Sequence, residues 1–144
     1  HAQIAACAGI VDYLETVATI AGDAVEGENP FRRAQAAMRL QESTLARPLL
    51  DYLRGRNSVR LIGPDDPLAR APTIALALDD PAAAVARRLA DHGVMAGGGH
   101  FYAWRLLEAV GIDPNHGVLR LSFLHYTTPE EIQQLIAALD AELP

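Results

Sequence analysis

The sequence contains no lysine: all 12 basic residues are arginine. Chemistry that needs a lysine amine is thereby excluded from this polypeptide, whether a Schiff base, a P-loop lysine or a lysine general base. Cysteine is almost as scarce, and the single Cys7 allows no internal disulfide and points to a reducing cytoplasm. No apolar run is long enough to span a bilayer, and the amino end lacks the charged and greasy regions of a signal peptide, so no membrane partner is expected. Basic clusters are missing too. With 18 acidic residues the formal charge is -6, which argues against a nucleic-acid surface. The chain opens His1-Ala2-Gln3-Ile4 without Met, and a helical apolar pattern is running by Ile4 with no Ser, Thr, Asp or Asn before it to cap the first turn. It reads as a segment of something longer; a processed, exported domain is the weaker alternative.

What is present is ordinary for a globular chain, 50% hydrophobic and 21% charged, enough for one domain or part of one. Ile4, Cys7, Ala8, Val11, Leu14, Ala18 and Ala21 follow helical spacing, which makes Cys7 a small core residue. After the Gly27–Pro30 turn a second helix is expected to about Leu53, with Met38, Leu45, Leu49 and Leu53 on one side. Ser58–Ile62 and Pro72–Leu78 read as strands paired antiparallel across a turn-rich link. Asp80, followed by Pro81, is expected to cap a helix running to His92. A brief strand at Val94–Ala96, a loop at Gly97–Gly99 and a short helix from Tyr102 to Val110 follow. The last strand lies in Gly117–Phe123, and Thr128, Pro129 and Glu131 form a capping box for a final helix whose stripe is Ile132, Leu135, Ile136, Leu139 and Leu143. The fold class is α+β, a small α/β sandwich: two long helices, then a mostly antiparallel sheet with helices on one face. The first two helices carry more apolar surface than so short a sheet covers, which leaves some for a missing domain or another subunit.

Candidate chemistry is sparse. The five histidines, His1, His92, His100, His116 and His125, lack metal-ligand spacing, and no serine sits in a nucleophile elbow, so neither a metal site nor a catalytic residue is expected in this chain. The Gly97–Gly99 triplet could bring backbone N–H groups to an anion or could be a flexible turn, and Phe101, Tyr102 and Trp104 suit packing better than a binding box. Arg120 is the residue that stands out. Alternation puts Leu119, Leu121 and Phe123 on one strand face and Val118, Arg120 and Ser122 on the other. There Arg120 is either a solvated strand arginine or a planar guanidinium offering two prongs to a carboxylate.

The run Leu119-Arg120-Leu121-Ser122, His125-Tyr126-Thr127-Thr128, Glu130-Glu131-Ile132 resembles the strand-to-helix signature of class V aminotransferases, pyridoxal-phosphate enzymes, and particularly of cysteine desulfurase-like proteins. The His1–Ile4 opening and Asp12-Tyr13-Leu14 also resemble the segment after that family's lysine loop. The resemblance implies linking helices over 1–55 and a C-terminal small domain over 56–144. It further implies that Arg120 binds the α-carboxylate of an amino-acid substrate, with His100 as a second substrate contact. Pyridoxal phosphate would be bound covalently by a lysine of a missing N-terminal domain, in a homodimer, and this chain alone would be inert. The family's persulfide-forming cysteine belongs in the loop matching Gly97–Tyr102, where this sequence has none, and Thr127 stands where asparagine is usual. The alternative is a free-standing, non-catalytic binding module with the same fold.

Overall fold

The computed structural model describes residues 2–23 and 26–143, and the side chains from residue 6 onward. The chain divides into two compact units, His1–Gln41 and Glu42–Pro144. Among the described residues there are five α-helices and four strands: α1 (Ala2–Ile20), α2 (Pro30–Arg54), β1 (Val59–Ile62), β2 (Thr73–Leu78), α3 (Ala82–Asp91), β3 (Gly97–Gly99), α4 (Trp104–Ala109), β4 (Val118–Ser122) and α5 (Pro129–Glu142). The α+β class expected from the order of periodicities is the one observed.

The first unit holds α1 and the amino-terminal part of α2. Ala18 and Ala34 are its buried residues, small enough for helix backbones to approach. Arg33 closes the end of α1, donating from Nε to the Ala18 carbonyl at 2.9 Å and from a terminal nitrogen to that of Asp23 at 3.1 Å. The apolar stripe expected along α1 is buried only in part: Cys7, Ala8, Val11 and Ala21 are exposed, Leu14 is half-buried and Ala18 is buried. Cys7 is therefore a surface residue, because a two-helix unit has too little facing surface to cover it. The side chain of Ile4, like all of His1, lies outside the described residues.

The second unit is a four-stranded sheet of order β1-β2-β4-β3, antiparallel throughout. The predicted β1–β2 pairing is present, with Val59 opposite Leu78 and Ile62 opposite Ala75. Leu119 and Leu121 of β4 join Ile74, Leu76 and Leu78 of β2 in the main core. Onto that face pack the carboxyl-terminal part of α2 through Leu45, Leu49, Leu50 and Leu53, α3 through Val85 and Leu89, and α5 through Ile132, Leu135 and Leu139. Each such fully buried aliphatic side chain contributes about 1.5–3 kcal/mol. The other face carries a smaller cluster of Leu107, Ile112 and Val118, with Phe101 and Ala75 against it.

Three expectations are corrected. The edge strand is the glycine triplet itself, Gly97–Gly99, and not Val94–Ala96. Asp80 does not cap α3: Pro81 takes the N-cap position without a side-chain hydrogen bond, while the Asp80 carboxylate pairs with Arg88 at 2.8 Å. The helix placed at Tyr102–Val110 begins at Trp104, because Phe101 and Tyr102 are both left-handed, with φ of 47° and 61°. The capping box on α5 is present as expected, with Thr128 Oγ1 accepting from the Glu131 amide and the Glu131 carboxylate accepting from the Thr128 amide.

Candidate functional site

Arg120 sits at the centre of β4, which is itself flanked by β2 and β3. Its face of the sheet is the one the alternation assigned, shared with Val118 and Ser122 and opposite the buried Leu119 and Leu121. Its lateral neighbours are small, Ala75 on β2 and Gly97 on β3. That leaves the guanidinium exposed, with room on both sides. One ring occupies part of that room: Phe101 lies 4.0 Å from the Arg120 guanidinium carbon, in a cation–π stack. The ring reaches there because the chain reverses after β3 through the two left-handed residues, a conformation that costs a bulky side chain roughly 1–2 kcal/mol per residue.

The glycines of β3 are neither a flexible turn nor an open anion cradle. A Cβ on Gly98 would stand 2.4 Å from the Ala82 carbonyl oxygen, so the first turn of α3 rests directly on the strand. A Cβ on Gly97 would stand 2.9 Å from the Phe101 ring. Both are close approaches that only glycine permits. The strand assignment was missed because glycine normally weakens strands, and here close packing from both faces outweighs that preference.

His100 follows β3 directly. Its Nδ1 accepts a hydrogen bond from the Tyr102 amide at 3.2 Å, which leaves Nε2 as the donor of the neutral ring. The imidazole meets Trp104 edge-on at 5.5 Å and Tyr102 at 6.1 Å between centroids. Among the described residues no hydrogen bond or ring contact joins His100 to Arg120; Phe101, next in the chain, is what connects the loop to the arginine. Tyr102 is 100% exposed and Trp104 42%, so these two aromatics are not packed as expected, whereas Phe101 is.

Beyond Arg120 the same sheet face continues through Ser122 and Thr73, whose hydroxyls are 3.3 Å apart. They border an open depression of about 410 Å³ with Pro72, Leu124, Tyr126 and Thr127 around it. The arginines of the second unit that carry structural loads are visibly engaged, Arg54 with Asp65, Arg56 with Asp140, and Arg88 with Asp80 and Glu142. Arg120 has no such carboxylate among the described residues. Its N–H donors are therefore not taken up by an internal carboxylate. Among the described residues no cluster of His, Cys, Asp or Glu is arranged to hold a metal ion, and no helix is long and apolar enough to cross a membrane.

This fold and this strand-to-helix site define a known class. The model of the class-V aminotransferase family matches residues 32–135, and the chain belongs to that family. It is 30% identical over 135 residues to an aminotransferase-like protein of Gibberella zeae and 31% identical over 143 residues to an uncharacterised protein of Mycobacterium tuberculosis. The alignments cover 91% and 95% of this chain but 33% and 34% of those proteins, so the chain spans about a third of the length of the curated relatives it matches. Among solved structures, a cysteine desulfurase from Thermococcus onnurineus superposes with a TM-score of 0.66 at 24% identity, over 78% of this chain and 28% of that one. The cysteine desulfurase CsdA of Escherichia coli gives 0.62 at 23%, over 81% and 26%. These likenesses establish a cysteine desulfurase-like fold. The family depends on pyridoxal phosphate.

Proposed function

We propose that this chain is the C-terminal part of a pyridoxal-phosphate enzyme acting on an amino acid, and that Arg120 grips the substrate's α-carboxylate. The observation that carries the reading is the unpaired guanidinium of Arg120, carried on an inner strand and stacked on Phe101, on the sheet face that continues through Ser122 to an open depression. Two N–H groups of the fork meet the two carboxylate oxygens, which orients the substrate as well as holding it. His100, whose Nε2 is the available donor, stands on the adjoining loop as a second polar contact.

The residues present do not fit covalent attachment of the cofactor, because a chain without lysine offers no amine for it. We assign the anchoring lysine to a part of the protein outside this chain. Bound there, pyridoxal phosphate would supply an electron sink for a bond at the substrate's Cα. This chain's own residues supply binding and orientation, and on their own they are inert. Sulfur abstraction through a loop cysteine has no residue here either, since the loop reads Gly97-Gly98-Gly99-His100-Phe101-Tyr102 and Cys7 lies on α1.

The test is Arg120→Ala in the full-length protein loaded with pyridoxal phosphate, titrated calorimetrically with propionate as a bare carboxylate. Binding should weaken by about 2–3 kcal/mol, the worth of a charge-assisted pair, with the cofactor's absorbance unchanged. Arg120→Lys should recover little, because an ammonium cannot reproduce the fork. Propionate binding as tight in Arg120→Ala as in the wild type overturns the assignment.

A further inference from the structure

We propose that Phe101 is a positioning residue for Arg120: its ring sets the plane in which the guanidinium meets a carboxylate. The inference rests on the reading of Arg120 as the carboxylate grip and adds a residue to it.

The geometry separates two uses of one guanidinium. Stacking occupies the face of the group, with Phe101 4.0 Å from its carbon, while a carboxylate takes the edge, where the N–H bonds point. The ring therefore constrains the arginine without competing for its donors. Nothing else described constrains it. Ala75 and Gly97, across the ladder on either side, are too small, and no hydrogen bond or ion pair among the described residues reaches its nitrogens. An exposed arginine left to itself would spread over many rotamers and lose that freedom on binding.

The ring is in turn held from three directions. Gly97 lies beneath it, so close that a methyl group there would sit 2.9 Å from the ring. Leu107, Ile112 and Val118 form the apolar cluster against which it packs. The loop that carries it is closed by the Ala103 amide donating to the His100 carbonyl at 2.7 Å and the Tyr102 amide donating to His100 Nδ1 at 3.2 Å. Two consecutive left-handed residues are maintained by this closure. The order of support runs from Gly97 to Phe101 to Arg120, and only the last touches the ligand.

The experiment uses the full-length protein loaded with pyridoxal phosphate, with propionate as the calorimetric probe and Arg120→Ala as reference. Phe101→Leu should weaken propionate binding about 3- to 10-fold, and Phe101→Tyr, which keeps the ring, should stay within about 2-fold of the wild type. Gly97→Ala should reproduce the Phe101→Leu loss, because its methyl group would stand 2.9 Å from the ring but at an ordinary contact distance, 3.9 Å, from the nearest Arg120 nitrogen. A nitrogen-edited NMR spectrum of the Arg120 Nε–Hε group supplies a readout independent of ligand: the ring-current shift should vanish in Phe101→Leu and persist in Phe101→Tyr. Phe101→Met, closer in bulk, stands in if Phe101→Leu does not accumulate. Wild-type propionate affinity in Phe101→Leu and Gly97→Ala, alongside a loss in Arg120→Ala, overturns the positioning role alone. Normal binding in Arg120→Ala overturns the carboxylate reading, and the positioning role falls with it.

Discussion

A methyl group at residue 98 would overlap the backbone of Ala82 and Ala83, which cannot rotate away as a side chain can. Gly98→Ala is therefore expected to lift α3 from the sheet edge and to cost about 1–3 kcal/mol, measurable as a lower urea midpoint with an unchanged slope. The role of that glycine was not readable from sequence, since a Gly triplet announces backbone freedom and says nothing about which neighbour comes near. Arg120 was more readable. Period-two alternation alone placed it opposite Leu119 and Leu121, and the sheet places it there. Phe101 lay between these cases: its apolar packing was expected, but its stack on Arg120 depends on two left-handed residues that no local preference requires.

Helices show the same division. The start of α5 was legible because a capping box is a short-range device, complete within the four residues from Thr128 to Glu131. Thr128→Ala should cost about 1 kcal/mol, and Thr128→Ser should restore most of it, as read by thermal melting of the protein. Asp80 and Pro81 carry a similar local signal at α3, yet the Asp80 carboxylate turns to Arg88, a choice made by a residue two turns further along the helix. The apolar stripe of α1 was legible as a shared face but not as a buried one. Periodicity identifies which residues share a face, and α1 is a helix as expected, but what covers that face is decided by other parts of a structure.

At the scale of the second unit, one ionic group ties the end of α3 to α5. Glu142 on α5 accepts from Arg88 Nε at 2.7 Å and faces His92 Nε2 at 2.8 Å, both from the end of α3. The hydrogen bonds from His92 and Arg88 hold the Glu142 carboxyl below the usual carboxylate range. A depressed acid contributes stability that is present above the unfolded pKa, about 4.3 for glutamate, and is lost as pH falls through the folded value. Glu142→Gln should accordingly melt below the wild type at neutral pH, with the gap closing as pH drops beneath about 4. A pH series of melting curves for the two proteins checks this, and a gap independent of pH would count against the ionic account. The α+β layout was legible at this level because strands and helices alternate in an order that admits few packings.

The brevity of β3 has a consequence for solubility. A sheet edge is a row of unpaired backbone donors and acceptors that invites another chain to add a strand. Here one edge is only three glycines long, is overlain by α3 at Gly98, and ends where the chain leaves strand geometry at Phe101 and Tyr102. At the other edge, β1 is four residues long and carries the charged Arg60, whose guanidinium is bonded to the Val110 carbonyl at 2.8 Å. Neither edge offers a long, flat, apolar template. The three glycines of β3, by letting α3 cover that edge, thus guard the sheet against adding a further strand, a service unrelated to any ligand.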